Sequence, residues 1–119
     1  MTSSLRRFSY ATYAALLLAG CASSPSDLLK NAPDLSLAST KDAKVVAQCI
    51  FVKWEDTASG VATVRETEKG YRLLYIRESA LGQMAEVDRL PDRTNSRFYN
   101  RHLVIGMPNH WRQAVIDCQ

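Results

Sequence analysis

The sequence predicts an α+β domain in which two helices pack on one face of a four-stranded antiparallel meander, in the order α-β-β-β-β-α. Three observations predict it. Apolar residues recur at helical spacing around residue 50 and again at the C-terminus. Four strand-like runs with short connections lie between those segments. Each helical segment also carries a cysteine, Cys49 or Cys118. Helices with one apolar stripe and a sheet with a face to cover bury each other, so both helices belong on the same side.

Residues 1–20 stand apart from that domain. Arg6 and Arg7 are the only charges before Cys21, and a mostly apolar run from Phe8 to Ala19 follows them. A spanning helix needs about 20 consecutive apolar residues, so this run reads as the short apolar region of a secretory signal peptide. It closes on Leu18-Ala19-Gly20-Cys21, which resembles the lipobox of bacterial lipoproteins. The resemblance implies cleavage after Gly20, a diacylglyceryl group on the Cys21 thiol and acylation of the new amino group. A small Ala-Gly pair lets processing enzymes approach the backbone, and the thiol is the strong nucleophile. The alternative is a plain signal peptide that ends near a cysteine. Ser9 and Tyr10 fit poorly where a twin-arginine signal wants an apolar pair, so ordinary Sec export is expected.

Burial of each CH₂ contributes about 0.8 kcal/mol, and two or three acyl chains hold a protein where one gives only marginal binding. Ala22, Ser23 and Ser24 follow the lipidated position, with no Asp of the kind that favours inner-membrane retention. The resemblance therefore implies the periplasmic face of the outer membrane of a Gram-negative bacterium. Residues 21–40 read as a lipidated tether rich in Ser, Ala and Asp with two prolines, able to span roughly 55 Å if fully extended. Leu28-Leu29 is an apolar pair within it that nothing in the sequence requires to dock.

The domain proper is expected over residues 41–119. In residues 41–56, Ala43, Val46, Ala47, Ile50 and Trp54 form the helical stripe, with Cys49 on its flank. Ser39 or Thr40 is placed to cap it, and Asp42 suits its first turn. Glu55 and Asp56 sit badly at a helix C-terminus and the β-branched centre suits a strand; the length without Gly or Pro decides for a helix. Strands are expected at Val61–Glu66, Tyr71–Arg77, Gln83–Arg89 and Arg97–Ile105. Their connections are Glu68-Lys69-Gly70, the turn Ser79–Gly82 and the loop Pro91–Ser96. Pro108-Asn109 opens the last helix, where Trp111, Ala114, Val115 and Cys118 fall at i, i+3, i+4 and i+7.

Removing residues 1–20 from the 119 leaves 99, enough for one small domain. The formal charge of +3 includes Arg6 and Arg7, so the processed chain carries only +1, with no polybasic run to favour nucleic acid. With Cys21 taken by lipid, Cys49 and Cys118 are left as an intramolecular pair in an oxidising compartment. Closing a loop of this length stabilises by roughly 4 kcal/mol in the chain-entropy model, and small domains commonly rely on such a staple. A metal site from Cys49, Cys118, His102 and His110 is the competing reading. The wide His spacing and the lack of a C-x-x-C pair argue against it.

No nucleophile motif, phosphate loop, metal pattern or cofactor motif is recognisable. His102 and His110 read as structural or surface histidines, and the Glu66/Glu68 and Glu55/Asp56 pairs as solvated charge at element ends. One surface has a second reading. Arg97, Tyr99 and Arg101 alternate along the last strand and so share a face, while Phe98 points the other way. With Arg65, Arg72, Arg77 and Arg89 on the other strands, they suit carboxylates or phosphates; a cell-wall peptide, lipopolysaccharide or acidic envelope protein fits that chemistry. The plainer reading is a solvated face balanced by Glu86 and Asp88. Trp54 and Trp111 read as core.

The Val-Ala-x-Cys-Ile-x-x-x-Trp segment from Val46 to Trp54, together with Cys118, resembles small uncharacterised lipoproteins of proteobacteria. That resemblance covers most of the processed chain on few residues and brings no function with it. Periplasmic lysozyme inhibitors share the small size, disulfide and lipid, but they are all-β. The function expected is a non-enzymatic, lipid-anchored envelope accessory or interaction protein. The alternative is a ligand-binding or inhibitor module using the Arg/Tyr face.

Overall fold

The computed structural model of the chain describes residues 24–57, 59–101 and 110–119. The elements are α1 (Pro25–Leu29), β1 (Leu35–Ser39), α2 (Ala43–Glu55), β2 (Val61–Glu66), β3 (Gly70–Arg77), β4 (Ala80–Arg89), β5 (Thr94–Asn100) and α3 (His110–Asp117). One antiparallel sheet runs in the order β1-β5-β4-β3-β2. Strands β2 to β5 are the expected meander, but the sheet has five strands and not four. The extra one comes from residues 21–40, read from composition as an extended tether. Leu35–Ser39 pairs with β5 from Leu35 opposite Phe98 to Ser39 opposite Thr94. Asp34 fixes the approach: its backbone N–H donates to Phe98 O at 2.8 Å, and its carboxylate accepts from Asn100 N at 2.6 Å.

Alternation along the strands gives the sheet two faces. On one, Leu73, Tyr75, Ala85, Val87 and Phe98 form a core with Ala43, Val46, Ala47, Ile50 and Trp54 of α2 and with Trp111, Ala114 and Val115 of α3. Trp54 lies at its centre, fully buried. Its rings stand edge-on to Tyr75 and Phe98, each at 6.3 Å, and its indole N–H donates to the Trp111 carbonyl at 3.1 Å. Both tryptophans therefore belong to the core, as their helical spacing indicated. Cys49 on the flank of α2 is bonded to Cys118 just past α3, with Cα atoms 5.7 Å apart.

Local chemistry explains where element ends differ from expectation. The predicted Ser79–Gly82 turn is displaced: Arg77 pairs with Ala80, so the hairpin turns on Glu78-Ser79 alone. Both residues have positive φ, 52° and 63°, as a two-residue primed turn requires, although neither is the Asn or Gly that usually signals one. Strand β4 therefore begins at Ala80. Gly82 is the extra residue of a bulge, since Tyr75 opposes Gln83 and Ile76 opposes Leu81; the bulge swings Leu81 to the opposite face of the sheet. Gly70 is required by a close approach, because a Cβ there would lie 2.0 Å from Val87 O.

Strand β5 starts at Thr94, earlier than the predicted Arg97, and ends at Asn100. Residues 102–105 of that predicted strand, His102 and the Pro108-Asn109 helix start lie outside the described residues. Ser39 and Thr40 do not cap α2: Ser39 ends β1 and its hydroxyl accepts from Lys41 N, while Asp42 occupies the N-cap position without a side-chain bond.

The bond between Cys49 and Cys118 yields a quantitative expectation. Cys49→Ser and Cys118→Ser each lower unfolding free energy by the same amount, about 4 kcal/mol in the chain-entropy model, and the double variant loses no more. Urea unfolding of the three variants checks this; additive losses would mean that the two sulfurs stabilise independently.

Candidate functional site

Among the described residues, the other face of the sheet carries no long helix. Part of it, over β4 and β5, is covered by α1, whose formation follows from Ser24-Pro25-Ser26-Asp27. Ser24 is the N-cap, Pro25 occupies the first turn, and a capping box closes between Ser24 and Asp27. The Ser24 N–H donates to Asp27 Oδ2 at 3.0 Å, and the Ser24 hydroxyl accepts from Asp27 N at 3.4 Å. This short helix presents Leu28, which buries itself among Leu81, Met84 and Tyr99, with Leu74 and Ile76 alongside. The apolar pair that nothing in the sequence required to dock is thus half core: Leu28 is buried, and Leu29 remains partly exposed.

Beyond α1 the same face is charged. Cross-strand register places Arg65 opposite Arg72, Arg72 opposite Glu86, and Glu86 opposite Arg97. Arg72 Nε donates to Glu86 Oε1, and Arg97 Nη2 donates to Asp88 Oδ2 at 3.0 Å. Arg97 Nη1 also donates to the Tyr99 hydroxyl at 3.3 Å. The two inner carboxylates, Glu86 and Asp88, are well shielded from solvent, and each holds one guanidinium. In such shielded pairs desolvation offsets much of the attraction, but loss of one partner leaves the other uncompensated.

These residues line an open groove of about 690 Å³. Its floor is the paired row of Arg72, Glu86, Asp88 and Arg97. Its rim is Leu29 on one side and the β2–β3 hairpin end, Arg65 to Lys69, on the other. The hairpin end is braced by Thr67, whose N–H donates to Gly70 O at 2.8 Å and whose hydroxyl accepts from Gly70 N at 3.1 Å. Among the described residues, Arg65, Lys69, Glu66 and Glu68 form no ion pair. The groove therefore offers the unpaired cations Arg65 and Lys69 and the unpaired carboxylate of Glu68 above a neutralised floor, whereas Glu66, opposite Tyr71, belongs by alternation to the helix-bearing face.

The expected Arg97, Tyr99 and Arg101 set is placed as follows. Arg97 and Tyr99 share this face and touch, but Tyr99 is only 3% exposed beneath α1 and Arg97 is tied to Asp88. Arg101 lies just past the end of β5, where its N–H donates to Gly82 O at 2.9 Å. The other arginines divide. Arg65 and Arg72 join the groove, whereas Arg77 stacks over Trp111 at 5.3 Å and Arg89 over Tyr71 at 5.2 Å. Lys69 and Leu29 were not foreseen; no periodicity marks a turn lysine or a helix embedded in a Ser/Ala-rich stretch.

Among the described residues, no three His, Cys, Asp or Glu side chains converge as metal ligands, and no helix is long and apolar enough to cross a membrane. His110 is exposed at the start of α3, beside Trp111. No protein-family model, curated protein or solved structure matches this chain.

Two expectations follow from these contacts. Glu86→Gln keeps the shape but leaves Arg72 without its counter-charge, between Arg65 and the Arg97 row; urea unfolding should show a loss of about 2 kcal/mol. Asp27 is the titration marker for α1. The Ser24 backbone N–H, then the Ser24 hydroxyl and the charge of Lys30, hold its carboxyl below the ordinary 3.8. Because the folded value is the lower one, the carboxylate supports the capping box above the unfolded value. That support is lost as pH falls through the folded value. An NMR titration should place the Asp27 midpoint below 3.8, and Ser24→Ala should move it upward.

Proposed function

We propose that this chain is the precursor of a lipid-anchored cell-envelope protein, cut before Cys21 and serving as a non-enzymatic accessory or interaction module. The observation that carries this reading is the division of the three cysteines. Cys49 and Cys118 are bonded to each other, and Cys21 closes the Leu18-Ala19-Gly20-Cys21 box behind a basic pair and a short apolar run. A structural disulfide suits an exported protein, because cytosolic thiols are kept reduced. Acyl chains on Cys21 would supply the membrane attachment, with the periplasmic face of the outer membrane as the proposed location.

The accessory reading is supported by how the open face treats its charges. Glu86 and Asp88 each hold an arginine, so the shielded carboxylates act as counter-ions. The second reading, a periplasmic ligand-binding or inhibitor module, draws on the groove. Its unpaired cations are Arg65 and Lys69, which take the place of Tyr99 and Arg101 in the expected binding face. An acidic envelope protein, cell-wall peptide or lipopolysaccharide remains the class of partner on that reading.

Metabolic labelling with a fatty acid tests the anchor. The wild-type chain should carry label and fractionate with membranes as a species shortened by residues 1–20, and Cys21→Ser should abolish both. Unchanged labelling and fractionation of Cys21→Ser would overturn the proposal. In-cell crosslinking tests the role: a protein partner lost on Arg65→Glu supports the interaction module, whereas cell-wall or lipopolysaccharide fragments support the ligand-binding one.

A further inference from the structure

We propose that the groove between α1 and the β2–β3 hairpin end seats phosphoethanolamine headgroups of the bilayer that holds the anchor, so that the domain lies on its membrane by the α1-bearing face. This rests on the proposed acylation of Cys21 and goes beyond it by assigning an orientation and a headgroup chemistry.

The first support is the length of the leash. The folded domain begins at Ser24, the N-cap of α1, and α1 is docked on the sheet through Leu28. Only three Cα–Cα steps separate Ser24 from Cys21, and at 3.80 Å per step they span no more than about 11 Å. A helix is about 10 Å across. The leash therefore holds the layer containing α1 nearest to the lipid, while α2 and α3 lie beyond the sheet on its opposite face. The roughly 55 Å of reach expected from an extended tether is not available, because residues 25–29 and 35–39 are built into the domain.

The second support is charge complementarity. An anionic surface alone would be a poor match, because the rim carboxylate of Glu68 would face it beside Arg65 and Lys69. A zwitterionic headgroup matches both signs. Arg65 and Lys69 are exposed donors for the phosphate oxygens, and Glu68 at the hairpin end is an exposed acceptor for the ammonium. Arg72 and Arg97 stay with their own carboxylates on the floor. Leu29, exposed by 37% at the opposite rim, offers an apolar contact at the headgroup boundary.

Hydrogen–deuterium exchange on the acylated protein distinguishes the outcomes. It is read in nonionic detergent micelles, in phosphatidylethanolamine vesicles and in phosphatidylcholine vesicles, both vesicle types with the same phosphatidylglycerol fraction. Amides of residues 65–70 should exchange about tenfold more slowly in the phosphatidylethanolamine vesicles than in micelles. Phosphatidylcholine, whose trimethylated ammonium donates no hydrogen bond, should give less slowing. An Arg65→Ala, Lys69→Ala double variant should lose the effect, and Lys53→Ala on α2 should retain it. Equal slowing in the two vesicle types would overturn the phosphoethanolamine assignment. Slowing confined to α2 and α3 would overturn the orientation. The acyl mass on Cys21, measured on the same sample, reports the anchor separately. An unacylated Cys21 sinks the anchor reading, and slowing at residues 65–70 by free phosphoethanolamine then decides the headgroup assignment alone.

Discussion

The architecture depends on the bond between Cys49 and Cys118. An isolated helix shorter than about 12–15 residues is marginal in water, and the described part of α3 is eight residues, His110–Asp117. It supplies Trp111, Ala114 and Val115 to the core and the carbonyl that accepts the Trp54 indole proton. Without a fixed α3, the largest side chain of the core would lose its polar partner, and Tyr75 would lose the tilted ring of Trp111, 5.2 Å away. The disulfide fastens the end of α3 to the flank of α2, so the short helix borrows the order of the longer one. The covalent link and the tryptophan hydrogen bond hold the same two helices from different sides.

The opposite face meets a different constraint. A small chain has too little material to lay a full helical layer on both sides of a five-stranded sheet. Here one buried leucine on α1 covers the apolar half, and a row of alternating charge covers the rest. The row is self-consistent: Arg72 and Arg97 each meet a shielded carboxylate, and Glu86 stands between two arginines in register. This arrangement keeps the central strands β4 and β5 from exposing apolar surface, while the edge strand β2 keeps exposed side chains at nearly every position.

Much of this was legible from residues alone, and the omissions have physical causes. The stripe of α2, the stripe of α3 and the four strands of the meander are repeated signals, each supported by several side chains. In segment 21–40 composition points to an extended tether while the local motifs point to a helix and a strand. Ser24-Pro25-Ser26-Asp27 before Leu28 is a capping box with proline in the first turn, a recognisable helix start. Leu35-Ser36-Leu37 is the alternation of an edge strand. Both elements are only five residues long, too short to persist on propensity, and they exist because the sheet offers Leu28 a pocket and Leu35–Ser39 a free strand edge. The turn at Glu78-Ser79 was invisible for the converse reason: strand pairing imposes left-handed backbone on residues that do not announce it. The floor of the groove was half visible, since Glu86 and Asp88 were the obvious counter-charges, but which arginine each would take depends on register.

Folding of the supposed tether changes what an acyl anchor at Cys21 would mean mechanically. A long flexible leash lets a domain sample many orientations and reach partners far from its membrane. A three-residue leash does neither, because the position of Ser24 is fixed by Leu28 in the sheet and by the Asp34 contacts that lead into β1. The residues that make α1 and β1 part of the fold would therefore also set which surface meets lipid and which faces away. On that view the exposed valines of α2, Val45 and Val52, look outward from the membrane, and the paired charges of the open face lie where low dielectric strengthens them. The seating of α1 and the orientation would then share one origin, the docking of a single leucine on the apolar half of this sheet face.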